Sequence, residues 1–249
     1  CPHLDEDAQR KILAIYPKYQ RKMRSEGVPL MGSGLIYEVD EEDLSVKPFN
    51  IPDYWFVING MDFGWDHPQA HVQMVWDRDD DIYYVVNAWK ASKKQPFEAG
   101  HVVKPWAENV PASWAGDGLQ HKQQSSGEAV KLKELYGDEG FNMLPERATF
   151  EDGGDGVWVG IMELNNLMKT SRLKIVSVLF EVFEELRQYH TKTSKDGKAE
   201  IVKIKDDLLD AIRYAYMMRR YAIRICDLYP EQRAYQVPKK LGRDTRTGY

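Results

Sequence analysis

The pattern of apolar and polar positions changes character at residue 54. Residues 55–61 are almost continuously apolar, the pattern of a strand covered on both faces. The run ends on Asp62, and a turn containing Gly64 and Pro68 leads to a second apolar stretch, 70–76. The charged run Asp77-Arg78-Asp79-Asp80-Asp81 reads as a solvated hairpin tip, and 82–89, rich in β-branched and aromatic residues, as a third strand. Short turns between strands predict an antiparallel meander.

The periodicity then alternates. Residues 96–109 read as a helix with Pro in its first turn and Val102, Val103 and Trp106 on its apolar side. Residues 112–118 read as a fourth strand ending on Asp117, 126–136 as a helix and 141–144 as a fifth strand. A meander followed by β–α alternation predicts an α/β fold: a mixed sheet with helices on its faces. Further helices are expected over 157–168 and 178–190. The second of these places Leu179, Val182, Phe183 and Leu186 on one face, with Glu181, Glu184, Glu185 and Arg187 elsewhere. Between the two lies a short extended piece, 173–176. Residues 191–204 read as an exposed, lysine-rich hairpin with its tip at 194–198. A last helix is expected over 206–225, with Leu208, Leu209, Ile212, Ala215, Tyr216 and Met217 as its core side.

The first fifty residues differ. A helix is expected over 5–23, followed by Gly- and Pro-punctuated turns. The expected organisation is a linker or strap over 1–53, a folded domain over 54–228 and a flexible basic tail over 229–249 that carries Lys239, Lys240, Arg243 and Arg246. The chain starts at Cys1 without a Met, which is expected of a piece of a longer polypeptide.

Composition narrows the class. With 43% hydrophobic and 12% aromatic residues among 249, a full core is available. A net charge of −5 argues against a protein that coats nucleic acid, though not against a local basic patch. The two cysteines, Cys1 and Cys226, make a structural disulfide improbable and fit a reducing compartment. No 18-residue apolar run or signal segment is present, so a soluble chain is expected. There is no phosphate-binding Gly-Lys-Ser/Thr loop, so the chain is not expected to be an ATPase on its own.

The chemistry concentrates in carboxylates. Two divalent ions held by three or four carboxylates can drive phosphodiester hydrolysis, and Mg²⁺ suits oxygen ligands while keeping waters. Asp62 near the end of the first strand, Asp117 at the end of the fourth, and Asp206, Asp207 and Asp210 at the start of the last helix converge if the first and fourth strands are neighbours. Asp207 and Asp210 are i, i+3 and Asp206 and Asp210 are i, i+4, so two of the three can share a face. Each has a plainer reading. Asp62 fits a turn or cap, Asp206 an N-cap, Asp207 a favourable first-turn charge, and Asp210 a partner of Arg213. His67 and His71 are four apart, but Pro68 between them makes a zinc pair improbable. His121, just past Asp117, fits a phosphate contact or a plain surface histidine.

At Gly60-Met61-Asp62-Phe63-Gly64, with Ala115-Gly116-Asp117-Gly118 and Lys205-Asp206-Asp207-Leu208-Leu209-Asp210-Ala211-Ile212-Arg213 after it, the chain resembles the nuclease domain of tailed-phage large terminase subunits. The resemblance covers 54–225. The opening segment, with Met31-Gly32-Ser33-Gly34-Leu35-Ile36-Tyr37, is similar to the stretch joining ATPase and nuclease in podophage terminases of the Salmonella phage type. The resemblance implies an RNase H-like fold and a metal-dependent endonuclease that cuts concatemeric viral DNA at the start and end of packaging. It implies Mg²⁺ or Mn²⁺, two ions, with Asp62, Asp117 and Asp207 as catalytic ligands, Asp206 a less favoured choice and Asp210 accessory. Many relatives carry His where this chain has Lys205, and Glu where it has Asp117. The hairpin lysines Lys195, Lys198 and Lys203, with Lys205 and His121, are the DNA-binding candidates. The implied partners are double-stranded DNA, the ATPase domain of the same subunit, the small terminase subunit and the portal protein, in the host cytoplasm and without a membrane. A Holliday-junction resolvase or integrase-like nuclease, and a non-catalytic docking module for portal or ATPase, are the rival readings.

Overall fold

The meander and the alternating half build one continuous sheet. The computed structural model describes residues 5–27, 34–123, 129–194, 196–197 and 199–228, apart from the side chains of residues 22, 23, 121–123 and 129. Helices α1 (Glu6–Ala14) and α2 (Arg21–Glu26) come first. The single helix expected over 5–23 is broken at Pro17, which has no N–H and crowds the residue before it. Helix α3 (Glu41–Leu44) is capped by Asp40, which accepts from the Glu42 N–H at 2.9 Å, and runs into strand β1 (Ser45–Val46).

Strands β2 (Phe56–Asp62), β3 (Gln69–Asp77) and β4 (Ile82–Ala91) form the antiparallel meander. Helix α4 (Pro96–Ala107) follows, with a Gln95/Glu98 capping box. Val102, expected on its apolar side, is exposed, whereas Val103 is buried. Strand β5 (Pro111–Trp114) is parallel to β2. It stops three residues short of Asp117, which instead sits in a 3₁₀ turn, Gly116–Leu119. Hairpin β6 (His121–Gln123) and β7 (Ala129–Lys131) precedes α5 (Leu132–Asp138), so the helix expected from 126 begins later. Strand β8 (Asn142–Met143), helix α6 (Val157–Lys169), strand β9 (Leu173–Val176) and helix α7 (Phe180–Gln188) come next. They are followed by hairpin β10 (Thr191–Thr193) and β11 (Ala199–Ile201), and by helix α8 (Asp207–Met217).

Helix α8 was expected to reach 225. It ends at Met217, and β12 (Ile223–Arg224) pairs antiparallel with Val57 and Phe56. Strand β5 covers β2 only over Asn59, Gly60 and Met61, so the start of β2 is an open edge that β12 fills.

Among the described residues, the sheet has the order β1-β9-β4-β3-β2-β5-β8, with β12 beside β2. Its parallel pairs are β1–β9, β9–β4, β2–β5 and β5–β8. The segment expected as a strap therefore contributes an edge strand, and its Tyr37 and Leu44 lie in the main core. No described helix is long and apolar enough to cross a membrane.

Helix α8 lies on one face of the sheet because the sheet offers a flat seat. Gly60, Val72 and Ala88 are directly opposite one another across β2, β3 and β4 and share that face. A Cβ on Gly60 would stand 2.0 Å from the Ala211 carbonyl oxygen and 3.0 Å from the Ala215 Cβ. The absence of a side chain at 60 lets helix backbone touch strand backbone. On the other face, Asn59 Nδ2 donates to the Ala107 carbonyl of α4 at 3.3 Å.

Candidate metal centre

The close seat at Gly60 decides where the carboxylates meet. Asp62 lies two residues along β2 from Gly60, about 7 Å at strand rise. Asp207 lies four residues from Ala211, about 6 Å at helix rise. Asp62 is half-buried, and Asp207 and Asp210 are buried. Burial pushes the Asp62 carboxyl well above the usual carboxylate range. The negative charges of Asp210 and Asp207 add to this, Arg213 opposes it, and Asp206 adds again. Asp206 is pushed up to about 6, first by burial and then by Asp210 and Asp207. Asp207 is raised by burial, against the pull of Lys90. Carboxylates from two elements thus share a desolvated spot and repel one another.

Among the described residues, no three His, Cys, Asp or Glu side chains close around a point as a finished metal cage. The donor set is nevertheless all oxygen, which suits a hard divalent cation that keeps several waters. Mutual repulsion that a cation would relieve is what a site for such an ion requires. Asp62, Asp207 and Asp206 fit this description best.

Asp210 is differently engaged. Arg213, itself buried, holds Asp210 Oδ1 at 2.9 Å through Nη2 and at 3.3 Å through Nε. The Arg213 stem fills the space beside Gly160, where a Cβ would stand 2.5 Å from Cδ. Replacing Arg213 with Met strands a buried carboxylate, so the denaturant midpoint should show a loss of about 3–5 kcal/mol. Asp210→Asn/Arg213→Met should recover most of it; no recovery would mean that the arginine acts through packing alone.

Asp117 reaches the same end of the sheet by register. Met61 pairs with Trp114, and a Cβ on Gly118 would stand 2.7 Å from the Phe63 ring. Its own side chain is exposed, however, and its Oδ1 accepts from Gln120 Nε2 at 3.1 Å. It stands at the rim rather than among the desolvated carboxylates.

Asp206 occupies the N-cap position of α8 without capping it by its side chain. The cap comes from Glu185 on α7, fully buried, whose Oε2 accepts from the N–H groups of Leu208 at 2.9 Å and Leu209 at 3.1 Å. Its Oε1 pairs with Lys90 Nζ at 2.7 Å. Burial pushes Glu185 up to about 7, against the pull of Lys90. Glu185 is expected from the sequence on the polar side of its helix, and it is buried instead. A signal was present: Val182, Glu185, Leu186 and Tyr189 fall at i, i+3, i+4 and i+7, one apolar stripe.

The basic candidates scatter. Lys205 is left-handed (φ 55°) and its Nζ pairs with Glu184 at 2.8 Å, so it is already engaged. Lys203 is exposed, and its charge bears on Asp206. Lys195, Lys198 and the side chain of His121 lie outside the described residues. The exposed His67 Nδ1 comes within 3.7 Å of Asp207 Oδ1, while His71 is buried against Gln69 Oε1 at 3.1 Å, so the two do not form a pair.

A cation bound here would displace protons, because Asp62, Asp206 and Asp207 are all raised. Mn²⁺ affinity should be weaker at pH 5.5 than at pH 7.5. Calorimetry in buffers of different ionisation enthalpy should show proton release at the lower pH; an affinity flat across this range would contradict the assignment.

The family profile of the terminase RNaseH-like domain matches residues 59–219. The chain is 43% identical over 237 residues to the large terminase subunit of Salmonella phage P22, covering 95% of this chain and 46% of that relative. It therefore spans about half the length of that relative. Among solved structures, the nuclease domain of the P22 large terminase is 46% identical, with a TM-score of 0.71, over 80% of this chain and 98% of that one. The nuclease domain of the large terminase from bacteriophage SPP1, solved with bound Mn, shares the fold at a TM-score of 0.54 and 18% identity, over 73% of this chain and 99% of that one.

Proposed function

The chain belongs to the terminase RNaseH-like domain family, and from that premise we propose that it is a divalent-metal-dependent endonuclease that cuts concatemeric viral double-stranded DNA at the initiation and termination of packaging. The observation that carries the reading is the meeting of Asp62 with the acidic start of α8 in one desolvated spot. Mg²⁺ or Mn²⁺, two ions in the arrangement we favour, would neutralise phosphate charge and activate water there. Asp62, Asp207 and Asp206 would hold them, with Asp117 completing the set from the rim on substrate binding. Asp210 acts through Arg213 as support rather than as ligand. Mn bound to the SPP1 domain makes Mn²⁺ the first ion to try.

Lys203, Lys195, Lys198, Lys205 and His121 are the candidates for phosphate contact, and DNA would have to draw Lys205 away from Glu184. With a net charge of −5, grip on DNA by this chain alone should be weak and lost with salt. Plasmid cleavage should fall steeply between about 50 and 200 mM salt; salt-indifferent cleavage would point away from phosphate-led binding. The ATPase domain of the same subunit, the small terminase subunit and the portal protein are the partners we propose, in the host cytoplasm.

The test is relaxation and linearisation of supercoiled plasmid in Mn²⁺, Mg²⁺ or EDTA. Cutting that survives EDTA removes the metal-dependent mechanism, and no cutting with either ion removes the nuclease reading and leaves a docking module. Four-way junctions cut in preference to duplex would favour the resolvase reading.

A further inference from the structure

We propose that the buried Glu185–Lys90 pair positions the acidic end of α8, holding Asp206 and Asp207 towards Asp62 by capping the helix from outside. This rests on the metal reading above. A helix start leaves N–H groups that need acceptors, and an Asp at the N-cap ordinarily supplies one. Asp206 stands at that position and does not. Had it done so, its carboxylate would be spent on its own backbone. Glu185 takes that duty from α7 and binds two of the orphan N–H groups with one oxygen.

The second half of the device comes from the sheet. Asp62 is directly opposite Ala70, and Ala70 is directly opposite Lys90, so all three share the face that α8 covers. Two strand spacings put the Asp62 and Lys90 backbones about 10 Å apart, with only the small Ala70 between them. Lys90 reaches across this face to Glu185 Oε1 at 2.7 Å. A fully buried carboxylate that also feels the charge of Asp207 is costly unless a cation and hydrogen bonds satisfy it, and Lys90 with the two N–H groups does so. The pair therefore ties β4, α7 and the first turn of α8 into one unit. If it served stability alone, an apolar pair would serve as well or better. Its return is that the carboxylates of Asp206 and Asp207 are left for a ligand.

The whole chain would be titrated with Mn²⁺, reading the free ion by its EPR signal, for wild type, Asp62→Asn, Glu185→Leu and Glu185→Leu/Lys90→Met, the leucine leaving no acceptor for the Leu208 and Leu209 N–H groups. Thermal midpoints and the KM for plasmid would be measured alongside. Glu185→Leu should weaken Mn²⁺ binding by roughly tenfold or more, as loss of an orienting partner does, with the KM for DNA unchanged. The double variant, which leaves no bare lysine, should regain much of the thermal midpoint yet keep the weakened Mn²⁺ binding. Mn²⁺ affinity within about twofold of wild type in both variants would overturn the proposal, leaving a purely structural pair. A double variant that fails to fold would overturn it on the same ground. Binding that Asp62→Asn leaves intact would overturn the metal reading itself, and would be recognised without touching Glu185.

Discussion

Asp62→Asn should abolish metal-dependent cleavage and, with no metal added, make the protein more heat-stable at neutral pH. The loss of activity should be on the order of a thousandfold or more, several kcal/mol of transition-state stabilisation, because a neutral amide in place of this carboxylate would no longer balance the ions proposed to polarise phosphate. The gain in stability follows from the direction of the pKa. Burial and the neighbouring Asp210, Asp207 and Asp206 raise Asp62 well above its usual value. The folded protein therefore binds the Asp62 proton more tightly than the unfolded chain does. The stability this contributes is present at low pH and is lost as pH rises from the unfolded value through the folded one. At pH 7 the ionised group opposes folding, and Asn removes that opposition. Melting curves in EDTA should show wild type below the variant at pH 7, with the gap closing near pH 3. Added Mn²⁺ should raise the wild-type midpoint and leave the variant unmoved. A variant that loses activity and stability together would mark Asp62 as a structural residue.

Gly60→Ala should be the most damaging glycine-to-alanine change among the described residues. The new Cβ would stand 2.0 Å from the Ala211 carbonyl oxygen, a contact between backbones that no side-chain rotation relieves. Overpacking of this kind costs about 1–3 kcal/mol and sometimes more, so the melting temperature should fall by roughly 5–10 °C. The functional effect should exceed the stability effect. Any shift that relieves the clash lifts α8 from β2 and carries Asp207 away from Asp62, so Mn²⁺ binding should weaken well below the melting temperature. Gly137→Ala in α5 is the control: the nearest atom to its Cβ is Met143 Cγ at 3.9 Å, and a helical Gly→Ala change is neutral or helpful there. Equal effects at the two glycines would refute the close-seat argument.

The acidic end of α8 shows how far the chain could be read. Asp62 and the 206–210 cluster stand out because a strand-terminal carboxylate and a helix-start cluster are local patterns. That they meet could be stated only as a condition, namely that the first and fourth strands are neighbours, and β2 and β5 meet it. The division of labour among the aspartates could not be read. Asp210 turns to Arg213 on the next turn of its own helix, while Asp206 is relieved of capping by a glutamate 21 residues earlier in the chain. A lone acidic residue in an apolar stripe looks the same in a sequence whether or not a lysine from a distant strand awaits it.

The sequence by itself determined the meander, the switch to β–α alternation and the amphipathic helices, and it singled out the carboxylates proposed to carry the chemistry. These depend on periodicities of two and 3.6 residues and on turn residues, all of them short-range. Only the tertiary structure decided that α8 stops at Met217 so that β12 can close an open edge, and that Ser45–Val46 joins the sheet from the strap. It alone decided that Asp117 stands at the rim, and that Glu185 is a buried cap rather than a surface charge. The physical reason is common to all four. Each depends on which backbone groups and charges another element leaves unsatisfied, and that is fixed by packing between segments far apart in the chain.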